Sequence, residues 1–144
     1  MEELIQATKI LLANHYSFYL KAHYYHWNIT GPNFPQYHEF LENIYTEVYG
    51  VVDKIAEEIR AMDAYAPGSF QRFIQLSQIQ GDDSIPMSED MLRRLLNDID
   101  TMQASIDRVY NLAEQQGEHG LSNFMAERQD AFRKHAWMIR STLR

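Results

Sequence analysis

The chain has 144 residues, a net charge of −7, no cysteine, and 45% hydrophobic residues. This length allows one domain, residues 1–144, with a sizeable core, and the absence of cysteine excludes disulfides and thiolate metal sites. The acidic charge disfavours strong binding to nucleic acid or to anionic membranes and suits a protein that attracts cations. No apolar run approaches the roughly 18 residues of a membrane span. The N-terminus lacks the basic region of a signal peptide, so a cytoplasmic protein is expected.

Apolar residues at helical spacing predict four long helices. The second pattern contains Gly50, which is expected to weaken that helix without ending it. Between the second and third helices, Phe70, Phe73, Ile74 and Ile79 predict a short helix inside a long connection. The predicted fold class is therefore all-α, a ferritin-like four-helix bundle with a short extra helix in the long crossover. The four helices are expected, in chain order, at about residues 4–28, 35–62, 88–116 and 121–143.

The predicted second helix carries two pairs of metal-binding side chains. His38 and Glu42 are four residues apart, and so are Asp53 and Glu57. Residues at this spacing share one face of a helix, so each pair offers two ligand atoms side by side. Imidazole combined with carboxylates suits a divalent first-row metal, with iron and zinc both possible.

Helix geometry separates the two pairs within one chain. His38 and Asp53 are fifteen residues apart, which corresponds to roughly 22 Å along a continuous helix, with the pairs pointing within roughly 60° of each other. One metal therefore cannot contact both pairs of the same chain. Either the chain has two separate sites, or the pairs meet across a two-fold axis. We favour the second arrangement, in which an isologous dimer would contain two identical sites.

The usual di-iron bundle places Glu-x-x-His motifs on two helices, pointing into the core. The sequence contains no such motif, so a di-iron centre inside one chain is not expected. The chain instead resembles the Dps proteins, mini-ferritins that protect DNA during starvation. The resemblance covers nearly the whole chain and rests on spaced motifs. They are His26-Trp27-Asn28, Gly31-Pro32-x-Phe34, His38, Asp53-x-Ile55-Ala56-Glu57 and Lys134-His135-x-Trp137-Met138.

The resemblance implies a ferroxidase and iron-storage function in a hollow homododecamer. Family members oxidise Fe(II), usually with hydrogen peroxide in preference to dioxygen, and store ferric mineral. The implied site lies at a dimer interface. One chain would supply His26, His38 and Glu42, and its partner would supply Asp53 and Glu57.

Two other functions remain open at this point. The chain could form a cage that binds metal, with zinc as a substitute for iron, without oxidising it. It could also compact DNA, but the net charge and the lack of a lysine-rich tail argue against direct DNA binding. The remaining histidines are expected to be satisfied polar residues, and Glu47 is expected to be solvated. Those histidines are His15, His23, His119 and His135.

Overall fold

Six α-helices and no strand make up the computed structural model, which describes residues 1–144. Four long helical segments form the bundle, and the short extra helix lies in the crossover, as the sequence predicted. The helices are α1 (Glu2–Asn28), α2 (Phe34–Tyr49), α3 (Val52–Ala61), α4 (Phe70–Leu76), α5 (Ser88–Gln115) and α6 (His119–Leu143). No helix is both long enough and apolar enough to cross a membrane.

The prediction that the second helix continues through Gly50 is wrong, because it divides there into α2 and α3. Gly50 still donates its N–H to the Thr46 carbonyl at 3.0 Å, but Val51 reaches back only three residues, to Val48, at 3.4 Å. The regular pattern resumes when Ile55 donates to Val51 at 3.0 Å. A Cβ at Gly50 would lie 3.1 Å from the Thr46 carbonyl oxygen, so the close approach at the break suits glycine.

Apolar faces of all the long helices meet in one core. A cluster of 28 buried hydrophobic residues fills the bundle, and α1 packs against α2, α3, α4 and α5. The α5 and α6 helices form the other tightly packed pair. Gly31 adopts φ +125° in the turn between α1 and α2, a conformation that other residues rarely adopt. This turn returns α2 along α1 and brings His38 back to the end of α1.

Polar contacts attach the crossover to the bundle. Asn14, which is fully buried in α1, accepts a hydrogen bond from the N–H of Gln78 at 2.7 Å and donates to Ser105 on α5 at 3.1 Å. Lys21 forms an ion pair with Asp98 at 2.8 Å and donates to the Gln80 carbonyl at 3.0 Å. Both sets link α1, the crossover and α5, and so fix the position of α4 on the surface of α1.

Candidate metal centre

His26 and His38 come together at the point where α1 ends and α2 begins. Their rings stack with centroids 3.6 Å apart and an interplanar angle of 15°. His26 is buried, with 6% of its surface exposed, whereas His38 is half-buried. The turn at Gly31 thus places side by side two imidazoles that are twelve residues apart in the chain.

Backbone carbonyls fix the tautomer of both rings. Nδ1 of His26 lies 2.7 Å from the His38 carbonyl oxygen, and Nδ1 of His38 lies 2.8 Å from the His26 carbonyl oxygen. A carbonyl oxygen can only accept a hydrogen bond, so Nδ1 of each ring carries the proton and donates it. In the neutral imidazole, Nε2 then keeps its lone pair. This arrangement, with Nδ1 held by a carbonyl and Nε2 free, is the one that metal-binding histidines use.

Glu42 adds a carboxylate to the two imidazoles. Its Oε1 atom lies 4.0 Å from Nε2 of His26, and 54% of its side chain is exposed. The structure therefore places His26 beside both His38 and Glu42, the three side chains expected from one chain, without converging all three on one point. All three come from the junction of α1 and α2.

Asp53 and Glu57 form a separate pair of carboxylates on α3. Both are exposed, and Asp53 lies in the first turn of the helix. A hydrogen bond with Asp53 and the negative charge of that residue raise the pKa of Glu57 above its ordinary value. Two neighbouring carboxylates repel each other, so a cation placed between them would be favoured. Within one protomer no three His, Asp or Glu side chains lie close enough to hold a metal ion.

An exposed apolar face adjoins both halves of the predicted ligand set. Trp27, next to His26, is 58% exposed, and it lines one groove together with Leu20 and Ile74. A neighbouring groove is lined by Asp53 together with apolar and aromatic residues from α1, α2 and the crossover. We call this surface of α1, α2 and α4 the apolar face. Its exposed members are Leu20, Trp27, Tyr49, Phe70 and Ile74.

Aromatic packing surrounds the histidine pair. The ring of His23 stacks on Tyr45 at 3.9 Å and lies 4.0 Å from the ring of Trp27. The Tyr19 hydroxyl and Nδ1 of His23 are hydrogen-bonded at 3.0 Å. His23 is therefore a satisfied polar residue, as predicted, and it packs behind His26 with ring centroids 5.7 Å apart.

A polar cluster that was not predicted from the sequence lies in the middle of the bundle. Glu47 was expected to be solvated, but it pairs with Arg128 through two hydrogen bonds and with Nε2 of His135 at 2.9 Å. Nε of Arg128 donates to Nε2 of His15 at 3.2 Å. His15 and His135 are buried and hydrogen-bonded, as predicted. A signal for Arg128 was present, because it lies three residues after Met125 and four before Phe132 on the apolar stripe of α6.

Two residues of the cluster, Glu47 and His15, have strongly shifted pKa values. Burial alone would raise the pKa of Glu47, but hydrogen bonds from His135 and Arg128 and the positive charge of Arg128 lower it to about 2. Burial, with the charge of Arg128, lowers the pKa of His15 to about 3. At neutral pH, Glu47 is therefore ionised and His15 is neutral.

Comparisons with known proteins agree with this architecture. A sequence profile described as a ferritin-like domain matches residues 5–144. DNA protection during starvation protein 2 of Bacillus anthracis is 26% identical over 142 residues, covering 99% of this chain and 97% of that protein. Antigen TpF1 of Treponema pallidum is 30% identical over 127 residues, covering 88% of this chain and 72% of the antigen.

A solved structure shows the same fold in three dimensions. The Dps protein of Vibrio cholerae O1, described as a member of a superfamily of ferritin-like diiron-carboxylate proteins, is 28% identical and superposes with a TM-score of 0.95. The match covers 99% of this chain and 90% of that one. The helical architecture, the profile match over nearly the whole chain and these relatives together show that the chain belongs to the ferritin-like family and, within it, to the Dps proteins.

Proposed function

We propose that the protein is a ferroxidase and iron-storage mini-ferritin whose oxidation sites form between two chains. His26, His38 and Glu42 of one chain and Asp53 and Glu57 of its partner bind Fe(II) as substrate. Hydrogen peroxide is the preferred oxidant, and ferric mineral collects inside a hollow dodecamer. The observation that carries the proposal is the pair of stacked imidazoles, each with Nδ1 bound to a carbonyl and Nε2 free.

The division of the ligands supports an interface site. The imidazole half and the carboxylate half lie on different helices, and neither half is sufficient by itself. Both halves border the apolar face, whose exposed residues favour burial against another protein surface. A two-fold axis would cover this face with its own copy and would bring each imidazole half against a carboxylate half, giving two identical sites.

The ligand types suit the proposed chemistry. Neutral imidazole and carboxylate oxygen bind Fe(II), and the anionic carboxylates also favour the more highly charged ferric product. Two Fe(II) ions each lose one electron, and one hydrogen peroxide accepts both as its O–O bond breaks. With two waters the products are two units of FeO(OH) and four protons. Paired electron transfer leaves no hydroxyl radical, which accounts for a protective role.

Subunit complementation tests the interface site directly. His38→Ala removes the imidazole half and Asp53→Ala removes the carboxylate half, so each variant alone should oxidise Fe(II) at least about tenfold more slowly. Co-assembly of the two variants restores one intact site in each mixed pair. With random pairing, the mixture should recover about a quarter of the wild-type rate. Ferric absorbance after anaerobic loading with Fe(II) and addition of stoichiometric peroxide gives the rate.

The control for the complementation test is Glu39→Ala, which removes an exposed carboxylate beside His38 and should leave the rate unchanged. If the co-assembled variants stay as slow as the separate ones, the interface site is wrong. Wild-type protein that binds Zn²⁺ tightly but does not oxidise Fe(II) would instead indicate a metal-binding cage without turnover.

A further inference from the structure

A row of three tyrosine rings runs from the imidazole half of the proposed iron site towards the carboxylate half on α3. The ring of Tyr45 meets the ring of His26 edge-on, with centroids 5.1 Å apart. Tyr19 lies 6.1 Å from Tyr45, and Tyr49 lies 4.6 Å from Tyr19, measured between ring centroids. Tyr49 lines the same groove as Asp53. We call Tyr45, Tyr19 and Tyr49 the tyrosine row, and it connects the two halves of the ligand set within one chain.

In the proposed dimer, the two halves supplied by one chain belong to different iron sites. The imidazole half faces the carboxylates of the partner, and the carboxylate half faces the partner's imidazoles, because an isologous interface repeats each contact. Each tyrosine row would therefore run from one iron site to the other, and every dimer would contain two such rows.

The middle ring of the row has a proton acceptor beside it. The chain has no cysteine, so tyrosine and tryptophan are its side chains most readily oxidised by one electron. A phenol that loses an electron must also lose its proton, which requires an acceptor within hydrogen-bond reach. The Tyr19 hydroxyl lies 3.0 Å from Nδ1 of His23, which is that acceptor when the hydroxyl donates. Tyr19 is also half-buried, so a radical on this ring is partly shielded from solvent.

We propose, on the basis of the interface sites proposed above, that the tyrosine row carries single electrons between the two iron sites of a dimer. Hydrogen peroxide takes up two electrons, but a site that holds a single Fe(II) ion can supply only one. The row lets the Fe(II) ion at the other site supply the second electron. Its role is to pair the two electrons when iron is scarce and few sites are filled.

The electrons and protons of this transfer balance. One Fe(II) ion gives an electron to peroxide, the O–O bond breaks, and hydroxide and a one-electron oxidant equivalent to hydroxyl radical are left. Tyr19 reduces this oxidant to hydroxide through Tyr45, and the phenol proton passes to His23. Fe(II) at the second site then reduces the tyrosyl radical through Tyr49, and His23 returns the proton. Two Fe(II) ions and one peroxide thus give two Fe(III) ions and two hydroxides.

Limiting iron tests whether Tyr19 takes part. The assembled protein is loaded anaerobically with about one Fe(II) per chain, which is one per proposed site, and about half as much peroxide is added. Freeze-quench electron paramagnetic resonance should detect a transient tyrosyl radical in the wild type. Tyr19→Phe keeps the ring but lacks the hydroxyl, so the radical should be lost and a spin trap should capture several-fold more hydroxyl radical. Tyr110→Phe, at a half-buried position on α5 outside the row, is the matched control and should behave as the wild type.

Tyr49→Phe distinguishes transfer between sites from simple trapping of a radical. This variant keeps Tyr19 and its hydrogen bond but removes the step towards Asp53. The tyrosyl radical should therefore form as in the wild type and decay several-fold more slowly. If Tyr19→Phe fails to assemble, Tyr45→Phe takes its place, because it interrupts the row at the His26 end.

The outcomes separate this transfer from the function on which it rests. A wild type that does not oxidise Fe(II) with peroxide would overturn both. Rapid oxidation with no tyrosyl radical in the wild type or in Tyr49→Phe would overturn the transfer alone, and so would equal radical lifetimes in these two proteins. A radical on Trp27, which lies off the row against His23, would also overturn it.

Discussion

At the scale of single residues, backbone carbonyls fix the tautomer of three histidines. His15, His26 and His38 each place Nδ1 within 3.0 Å of a carbonyl oxygen, so in the neutral ring each carries its lone pair on Nε2. The environments of these lone pairs then differ. Nε2 of His15 faces a buried guanidinium, whereas Nε2 of His26 faces the exposed carboxylate of Glu42. The same tautomer therefore serves packing in the first case and, in the function proposed above, would support metal binding in the second.

The depressed pKa of His15 predicts a loss of stability in acid. Burial lowers the pKa from 6.5 to about 3, so between these values the unfolded chain binds a proton that the folded chain does not. As the pH is lowered through this range, His15 alone should therefore reduce the free energy of unfolding by about 1.4 kcal/mol per pH unit. The Gln side chain of His15→Gln can still accept a hydrogen bond from Arg128. In this variant, the slope of the free energy of unfolding against pH should correspond to about one fewer proton taken up on unfolding. Denaturant unfolding at pH 7, 6, 5 and 4 measures both slopes.

Glu47 should act in the same direction at lower pH. Its pKa is lowered from 4.5 to about 2 in the fold, so its stabilising contribution is present above pH 4.5 and declines as the pH falls towards 2.

The His15 prediction has a clear contradicting outcome. If the free energy of unfolding had the same pH dependence in His15→Gln and in the wild type between pH 6 and 4, His15 would not be held neutral by burial.

At the scale of elements, the crossover depends on a few buried polar contacts more than on its own helix. The α4 helix has seven residues, too few for stability in isolation. Ser69 accepts a hydrogen bond from the N–H of Arg72 at its start, and Asn14 holds the chain just beyond its end. The long connection is therefore ordered by its attachment to α1 and α5.

Asn14→Ala should weaken this attachment. It leaves the N–H of Gln78 without its partner and removes the hydrogen bond that Asn14 donates to Ser105. A loss of about 1–3 kcal/mol is expected, equivalent to a fall in Tm of roughly 2–12 °C for a chain of this size. Differential scanning calorimetry measures the change. Asn111→Ala, at an exposed position on α5, is the matched control and should shift Tm by no more than about 2 °C.

At the scale of the whole molecule, the apolar face indicates that the protomer is incomplete. Ile74, on α4, is 78% exposed, whereas 28 other hydrophobic residues are buried in the core. It shares a groove with Leu20 and Trp27, so three exposed apolar side chains lie together on this surface. Concentrated apolar exposure of this kind marks an interaction site.

Ile74→Glu should therefore disrupt assembly without unfolding the chain. A carboxylate buried without a partner in a subunit interface is strongly unfavourable, whereas in the separate protomer it would remain in water. Sedimentation should show material at the protomer mass of 17.0 kDa. Iron oxidation should be lost together with assembly, because each proposed site needs two chains.

The matched control is Met87→Glu, since Met87 is also 78% exposed but lies just before α5 and lines neither groove of the apolar face. It should assemble and oxidise iron as the wild type does. Assembly of Ile74→Glu at the wild-type mass would show that α4 lies outside the subunit interface.

Periodicity predicted most of the fold, but it could not show where a helix would break. Apolar residues follow the helical repeat on both sides of Gly50, so the pattern indicated one continuous helix. The break is the change of hydrogen bonding at Val51, which donates to Val48 rather than to Glu47, and apolar periodicity carries no signal for such a change. Similarly, a charged residue such as Glu47 is expected from the sequence to be solvated. Only the position of α6 in the bundle brings Arg128 and His135 within hydrogen-bonding distance of it.

By itself, the sequence determined the four long helices, the short helix in the crossover and the spacing of the two ligand pairs, because these depend on local periodicity. Only the tertiary structure decided that His26 and His38 stack, that carbonyls fix their tautomers and that Arg128 fills the bundle core. The physical reason is that these contacts join residues from 12 to 113 positions apart in the chain. Such contacts depend on how helices pack, which local periodicity does not encode.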